Sequence, residues 1–398
     1  MKTQIILVTF ICSLSFSLYA QHRIEDNIVG SSISIQSEVL NDERKIQIFL
    51  PDEYDDSDKE YPVLYILDGQ RYFLHGVSLH KSLVGFRETP EFIVVGISGN
   101  PTDRNRLYSV ESQSLRKYLK DEVTTFVDTQ YRTSNERIIF GWAYGGGFVV
   151  ETMITEPDLF DTYIAASPFP LAEKNTSLSK LLHENTEFNK LLFFTSGTNE
   201  GVVTEGTTEL SSLLTDEAPK TMSWEFKELE GEEHRSTPFT TLYHGLKKHF
   251  SYYPELQFNN LDAFSEAGGL DHVYDYYQKR ALKYGFPEEL SDWTMFSLTR
   301  NAIRAEDFEQ FNYLVNEFEK TGYINRLRVT RSSLIAQFYL ENEQYDIAIE
   351  LFKLIAESHP NSERPLIGLG DTHSKLGQVK KADMFYNKAE EVSQRNSN

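Results

Sequence analysis

The sequence predicts a doubly wound α/β domain followed by an all-helical repeat domain, on three observations. Apolar strand-like runs alternate with helical periodicity between about residues 31 and 255. One of those runs passes through a Gly-rich turn directly into a helix. After about Asn260 no convincing strand recurs, Gly and Pro become sparse, and a self-similar helical pattern takes over. A chain of 398 residues has room for two such domains. With 40% hydrophobic, 25% charged and 13% aromatic residues it has the material for packed cores, which excludes a largely disordered chain. The 60 Asp and Glu outnumber the 39 Lys and Arg, for a net charge of −21. Such a field repels phosphate backbones and anionic lipid, so nucleic acid is excluded as a partner.

The elements follow in order. Lys2 precedes an apolar stretch from Ile5 to Leu18, and Tyr19-Ala20-Gln21 offers a small residue for cleavage. This predicts a signal peptide over residues 1–20 and an exported protein, periplasmic or extracellular. The single cysteine, Cys12, lies inside it, so the mature chain carries no disulfide, thiolate or cysteine-ligated metal. Thr9-Phe10-Ile11 lacks the small residue that lipid attachment at Cys12 would need. No later apolar run approaches the ~18 residues of a membrane span.

Residues 28–255 read as the α/β domain. Ser31 to Ser37 and Lys45 to Leu50 predict early strands. Pro62 to Leu67 and Phe92 to Ile97 are continuous apolar runs, as strands buried on both faces require. Leu115, Tyr118, Leu119, Val123, Phe126 and Val127 recur at helical spacing and predict one amphipathic helix from Ser112 to Thr129. Arg137 to Phe140 is the next strand, ending in the Gly-rich turn, with an apolar helix over Phe148 to Ile154. Tyr163 to Ala166, Leu191 to Thr195 and Met222 to Phe226 complete the sheet. Residues 262–396 read as helical. A shift of 34 residues superimposes Ala302, Ala336 and Gly370, then Leu314, Ala348 and Ala382, then Phe318, Phe352 and Tyr386. Small residues fall where two helices touch and large ones where the next unit needs cover, the pattern of tetratricopeptide repeats.

Chemistry concentrates at Gly141-Trp142-Ala143-Tyr144-Gly145-Gly146. A strand entering Gly-x-?-x-Gly and then a helix is the setting of the nucleophile elbow of α/β-hydrolases, whose turn lifts the central residue above the sheet. Here that residue is Ala143, and a methyl group has no lone pair with which to attack a carbonyl carbon. His234, flanked by Glu232 and Ser236 just beyond the last strand, suits a general base. The other nine histidines show no metal-ligand spacing.

Several of these segments together resemble the putative-esterase family of α/β-hydrolases, which includes enterochelin-type siderophore esterases and S-formylglutathione hydrolases. They are Tyr61 to Gln70, Val95-Gly96-Ile97 with Asp103, Arg104 and Arg106, the elbow, Pro157 to Phe160 with Ala166-Ser167-Pro168, and Glu232 to Ser236. The resemblance implies a serine nucleophile at position 143, where this chain has Ala143, and makes His234 the base. It implies a carboxylate after the strand Leu191 to Thr195 to orient that histidine. Glu200 is in the expected place, with Glu205 and Glu209 as competitors. Backbone N–H groups of Tyr144 and of the Gly69-Gln70 turn are the implied oxyanion donors. Arg104 and Arg106 read either as binders of a substrate anion or as partners of Asp103 or a neighbouring acid. Trp142 and Tyr144 read as stacking faces for a ring or as core.

The functional expectation is a small-molecule acyl ester as ligand, no cofactor, and a serine-hydrolase site disarmed at Ala143. The alternative is a non-catalytic binding protein that recruits a protein partner through its repeats. A substitute nucleophile among Ser167, Ser236 and Tyr144 is the weakest reading, because none occupies the elbow tip.

Overall fold

The computed structural model describes residues 27–100, 102, 104–319 and 322–396. The expected signal peptide, Cys12 and Asp103 lie outside the described residues. Eight strands form one sheet: β1 Ser31–Ser37, β2 Asp42–Phe49, β3 Tyr61–Leu67, β4 Ile93–Ile97, β5 Thr133–Trp142, β6 Thr162–Ala166, β7 Leu191–Gly197 and β8 Ser223–Leu229. Their order is β1-β2-β4-β3-β5-β6-β7-β8. β2 runs antiparallel to both its neighbours, and every other pairing is parallel. This is an α/β-hydrolase sheet, as expected.

The parallel strands are connected by helices on both faces: α1 Gly69–Gly85, α2 Arg104–Tyr108, α3 Ser112–Tyr118, α4 Thr125–Gln130, α5 Tyr144–Thr155, α6 Ala172–Glu184, α7 Val202–Glu217 and α8 Thr237–His249. Strand alternation splits the core. Val63, Tyr65 and Leu67 of β3 face one layer with α3 to α7, whereas Leu64 and Ile66 face the other with α1 and α8. Both faces are covered, which is why β3 and β4 are apolar throughout.

The single helix expected from Ser112 to Thr129 is interrupted. A wider π-helical segment, Leu119–Thr124, separates α3 from α4. Leu115, Leu119, Val123 and Val127 are spaced by four, a rhythm that drifts about 40° per step around an ordinary helix. The wider segment takes up that drift, and all four side chains are buried.

The remainder is helical: α9 Leu261–Glu266, α10 Gly269–Tyr284, α11 Asp292–Arg304, α12 Phe308–Glu319, α13 Tyr323–Arg326, α14 Val329–Glu341, α15 Tyr345–Ser358, α16 Arg364–Lys375 and α17 Val379–Asn396. Neighbours pair as α11 with α12, α14 with α15 and α16 with α17. Ala302, Ala336, Ala348 and Ala382 are buried between helices, and a Cβ at Gly370 would run into the Tyr386 ring. Phe318 and Phe352 are buried covers, while Tyr386 is more than a third exposed.

The two parts meet at one seam. Lys283 of α10 reaches Glu136 of β5 at 3.3 Å and donates to the His249 carbonyl at 2.9 Å. The Tyr276 hydroxyl donates to the Ser251 and Pro254 carbonyls, both at 2.9 Å. Among the described residues no helix is long and apolar enough to cross a membrane.

Candidate active site

β5 ends at Trp142 and α5 begins at Tyr144, so the whole turn is Ala143. Its backbone lies at φ 54°, ψ −119°, a conformation that costs an L-residue about 1–3 kcal/mol. Neighbours hold it there. Ala143 N–H donates to the Ala166 carbonyl at 3.0 Å, and its own carbonyl accepts from Gly147 at 2.9 Å and Phe169 at 3.0 Å. This close approach of α5 to the loop after β6 needs glycine at 147, where a Cβ would sit 2.8 Å from the Phe169 carbonyl carbon. Tyr144 opens the helix, so its N–H has no carbonyl one turn back to bond.

His234 stands in the loop between β8 and α8. Its Nδ1 lies 2.6 Å from Glu200 Oε2, across 34 residues of sequence. The Glu200 side chain is 4% exposed and the His234 side chain 40%. Burial pushes the Glu200 carboxyl up, but hydrogen bonds from His234, the Gly197 N–H and the Ser167 hydroxyl outweigh it, so its pKa lies below the usual carboxylate value. An ionised carboxylate only accepts, so Nδ1 is the donor, and in the tautomer this selects the ring lone pair lies on Nε2. Nε2 makes no hydrogen bond among the described residues. Glu200 is held in turn: Oε1 accepts from Ser167 Oγ at 2.9 Å and from the Gly197 N–H. Glu205 and Glu209 lie exposed on α7.

Trp142 ties the elbow to the histidine loop. Its Nε1 donates to the His234 carbonyl at 2.7 Å, and the two rings lie 5.0 Å apart. Arg104 is committed elsewhere. Its Nε and Nη2 fork the fully buried Asp68 carboxylate at 2.7–2.8 Å, and Nη2 also donates to the Trp142 carbonyl at 3.2 Å. Of the two readings for Arg104, the ion pair with a neighbouring acid is what the structure shows, and that acid is Asp68. Arg106 pairs with Glu111 instead.

A cleft of about 1040 Å³ opens over these groups. It gathers Arg104, Trp142, Ala143, Tyr144, Glu200 and His234 from the expected set. Arg106, Gly69 and Gln70 are absent from its lining. Gly69 is packed against β4, where a Cβ would meet Gly96 Cα at 2.7 Å, and Gln70 Oε1 accepts the Gly99 N–H at 2.8 Å. Walls of the cleft that sequence reasoning missed include Phe169, Val202, Val203 and Arg235. It also missed Ser167 as a partner of Glu200, although Ala166-Ser167-Pro168 at a strand end was a visible signal. Among the described residues no cluster of His, Cys, Asp and Glu is arranged to hold a metal.

The family model described as "Putative esterase" matches residues 37–246, just over half of the chain. The chain belongs to this esterase family. Ferri-bacillibactin esterase BesA of Bacillus subtilis (strain 168) is 36% identical over 53 residues, 13% of this chain and 18% of that protein. The chain thus matches less than a fifth of that curated relative's length. An IroE-like serine hydrolase from Shewanella oneidensis superposes with a TM-score of 0.55 at 23% identity, over 72% of this chain and 98% of the other. An uncharacterised protein from Capnocytophaga ochracea DSM 7271 superposes with a TM-score of 0.52 at 16% identity, over 92% and 98%. At these identities the likeness is one of fold. In the second case it runs well into the helical region of this esterase-family chain.

Proposed function

We propose that the chain binds carboxylic acyl esters in the cleft over Ala143 and forms no acyl-enzyme there. One observation carries the reading: the 2.6 Å contact between Glu200 and His234 stands beside an elbow whose tip is a methyl group. In this reading His234 is the general base and Glu200 orients it. Tyr144 N–H holds the carbonyl oxygen, while the Gly69-Gln70 turn, outside the cleft lining, takes no part in this reading. Trp142 and Tyr144 offer faces to a ring. Arg104, held by Asp68, braces the elbow through the Trp142 carbonyl. A siderophore-type ester suits the cleft volume, and the short likeness to ferri-bacillibactin esterase supports that class. The reading includes export by a signal peptide over residues 1–20, a hydrolase domain over 28–255 and tetratricopeptide-like repeats over 262–396.

The test is Ala143→Ser. Losing a triad nucleophile costs on the order of 10⁶ in rate. Restoring it is expected to raise hydrolysis of a short-chain p-nitrophenyl ester by at least about a hundredfold, and an unchanged rate refutes the reading. A second reading, a non-catalytic binding protein with a repeat scaffold, draws on a groove of about 430 Å³ lined by residues of α14 and α16. Leu334 and Ile367 line it and are more than a third exposed.

A further inference from the structure

We infer that the unsubstituted protein hydrolyses activated esters by direct attack of water, with His234 as general base and without a covalent intermediate. The inference rests on the ester-binding reading above and concerns what the assembled groups do in the absence of a serine hydroxyl.

Three observations lead to it. The first is that the proton-handling half of the site is complete. Glu200 is buried and accepts from His234, Ser167 and Gly197, and Trp142 holds the histidine's carbonyl, so the imidazole is fixed in position and tautomer. The second is that the ring remains open to the cleft. His234 is 40% exposed with its basic Nε2 unbonded among the described residues, and it lines the same cavity as Ala143 and Tyr144. A histidine retained only for packing would be covered. The third is that Ala143 keeps the strained φ 54° geometry that places the Tyr144 N–H at the start of α5. The oxyanion donor on the cleft, Tyr144 N–H, is a backbone group, and exchanging a hydroxymethyl for a methyl side chain leaves it in place.

The chemistry needs only these groups and water. A water oxygen lone pair forms the bond to the carbonyl carbon, while one water proton passes to His234 Nε2. The carbonyl π pair moves onto oxygen, where the Tyr144 N–H receives the charge. Collapse re-forms the carbonyl and breaks the bond to the alkoxide, which takes the proton back from Nε2. Acid and alcohol leave, and His234 is neutral again. No bond to the protein forms at any stage. Oxyanion hole and binding alone sustain about 10³–10⁴ over uncatalysed hydrolysis when a triad is dismantled, so a base still in place is expected to reach at least that range.

The experiment uses the full chain with p-nitrophenyl butyrate. Hydrolysis is compared for the unsubstituted protein, His234→Gln, Glu200→Gln and Ala143→Ser, with circular dichroism confirming the fold of each. The expected result is a rate of at least about 10⁴ over buffer that falls at least tenfold in His234→Gln, to the level that oxyanion hole and binding alone sustain, with no initial burst. Acid-quenched intact-mass spectra should show no acylated protein, and a fluorophosphonate should label only the Ala143→Ser protein. A rate equal to that of His234→Gln overturns the inference, as does an acyl or phosphonyl adduct on the unsubstituted chain. The mass spectra need no variant, so they decide even where a substitution disturbs the fold. If Ala143→Ser is active while the unsubstituted protein shows no His234-dependent rate, this inference alone fails. If both are inert, the ester-binding reading falls with it.

Discussion

Replacing Glu200 by Gln in the Ala143→Ser protein isolates what the carboxylate does for the histidine. The side chains have the same shape. An amide oxygen in the place of Oε1 keeps the Gly197 N–H and the Ser167 hydroxyl as donors. That choice puts the NH₂ where Oε2 stood, 2.6 Å from Nδ1 of His234. An NH₂ only donates, so Nδ1 must accept and the imidazole proton moves to Nε2. The nitrogen that should take the serine proton is then blocked. By analogy with a triad locked in the wrong tautomer, kcat is expected to fall about 10³–10⁴-fold, or roughly 4–5.5 kcal/mol of barrier. Stability is expected to drop only about 1–2 kcal/mol, because two of the three donors keep their acceptor. KM is expected to hold within about threefold, since the carboxylate touches the base and not the ester. Steady-state kinetics on an aryl ester beside urea unfolding checks all three. A loss below tenfold in kcat with an intact fold would refute the tautomer argument.

Three further outcomes are expected. Gly147→Ala should destabilise by about 1–3 kcal/mol in urea unfolding, because its Cβ meets backbone at Phe169 that cannot swing aside. His80 is wedged between Phe49 and Phe92, and burial holds its pKa down to about 4 from 6.5. The unfolded chain takes up that proton below pH 6.5 and the folded chain resists until about 4, so stability should fall across that window by roughly 2–3 kcal/mol. His80→Leu should flatten that part of the thermal-stability profile relative to the unsubstituted protein. Deleting residues 262–398 should leave an α/β domain that still melts cooperatively, though at lower temperature for want of the Lys283 contacts to Glu136 and the His249 carbonyl; a broad melt by circular dichroism would show one shared core.

Much of this was legible in the sequence wherever one local pattern answers to one physical demand. β3 and β4 read as strands because burial on both faces leaves no place for a polar residue. The elbow read as a turn because Gly141 and Gly145 bracket it at fixed spacing, and His234 stood out because it follows the last strand. Contacts between residues far apart in the chain were harder. Three glutamates followed β7, and only the fold puts Glu200 rather than Glu205 or Glu209 against the histidine. The partner of Arg104 is Asp68, 36 residues away and buried at the head of α1; nothing in the local sequence separates that pair from a substrate-binding cation. The π segment was hidden for another reason. A four-residue rhythm reads as an ordinary helix until the drift is summed over several turns.

The seam at Lys283 has a further consequence. Glu136 lies near the start of β5 and Ala143 just past its end, so the helical tail is anchored some 20 Å from the cleft mouth, at the opposite end of the sheet. Among the described residues, none beyond Arg235 lines that mouth. The tail is therefore no lid over that cleft: whatever happens at its far end leaves the entrance clear for a bulky guest.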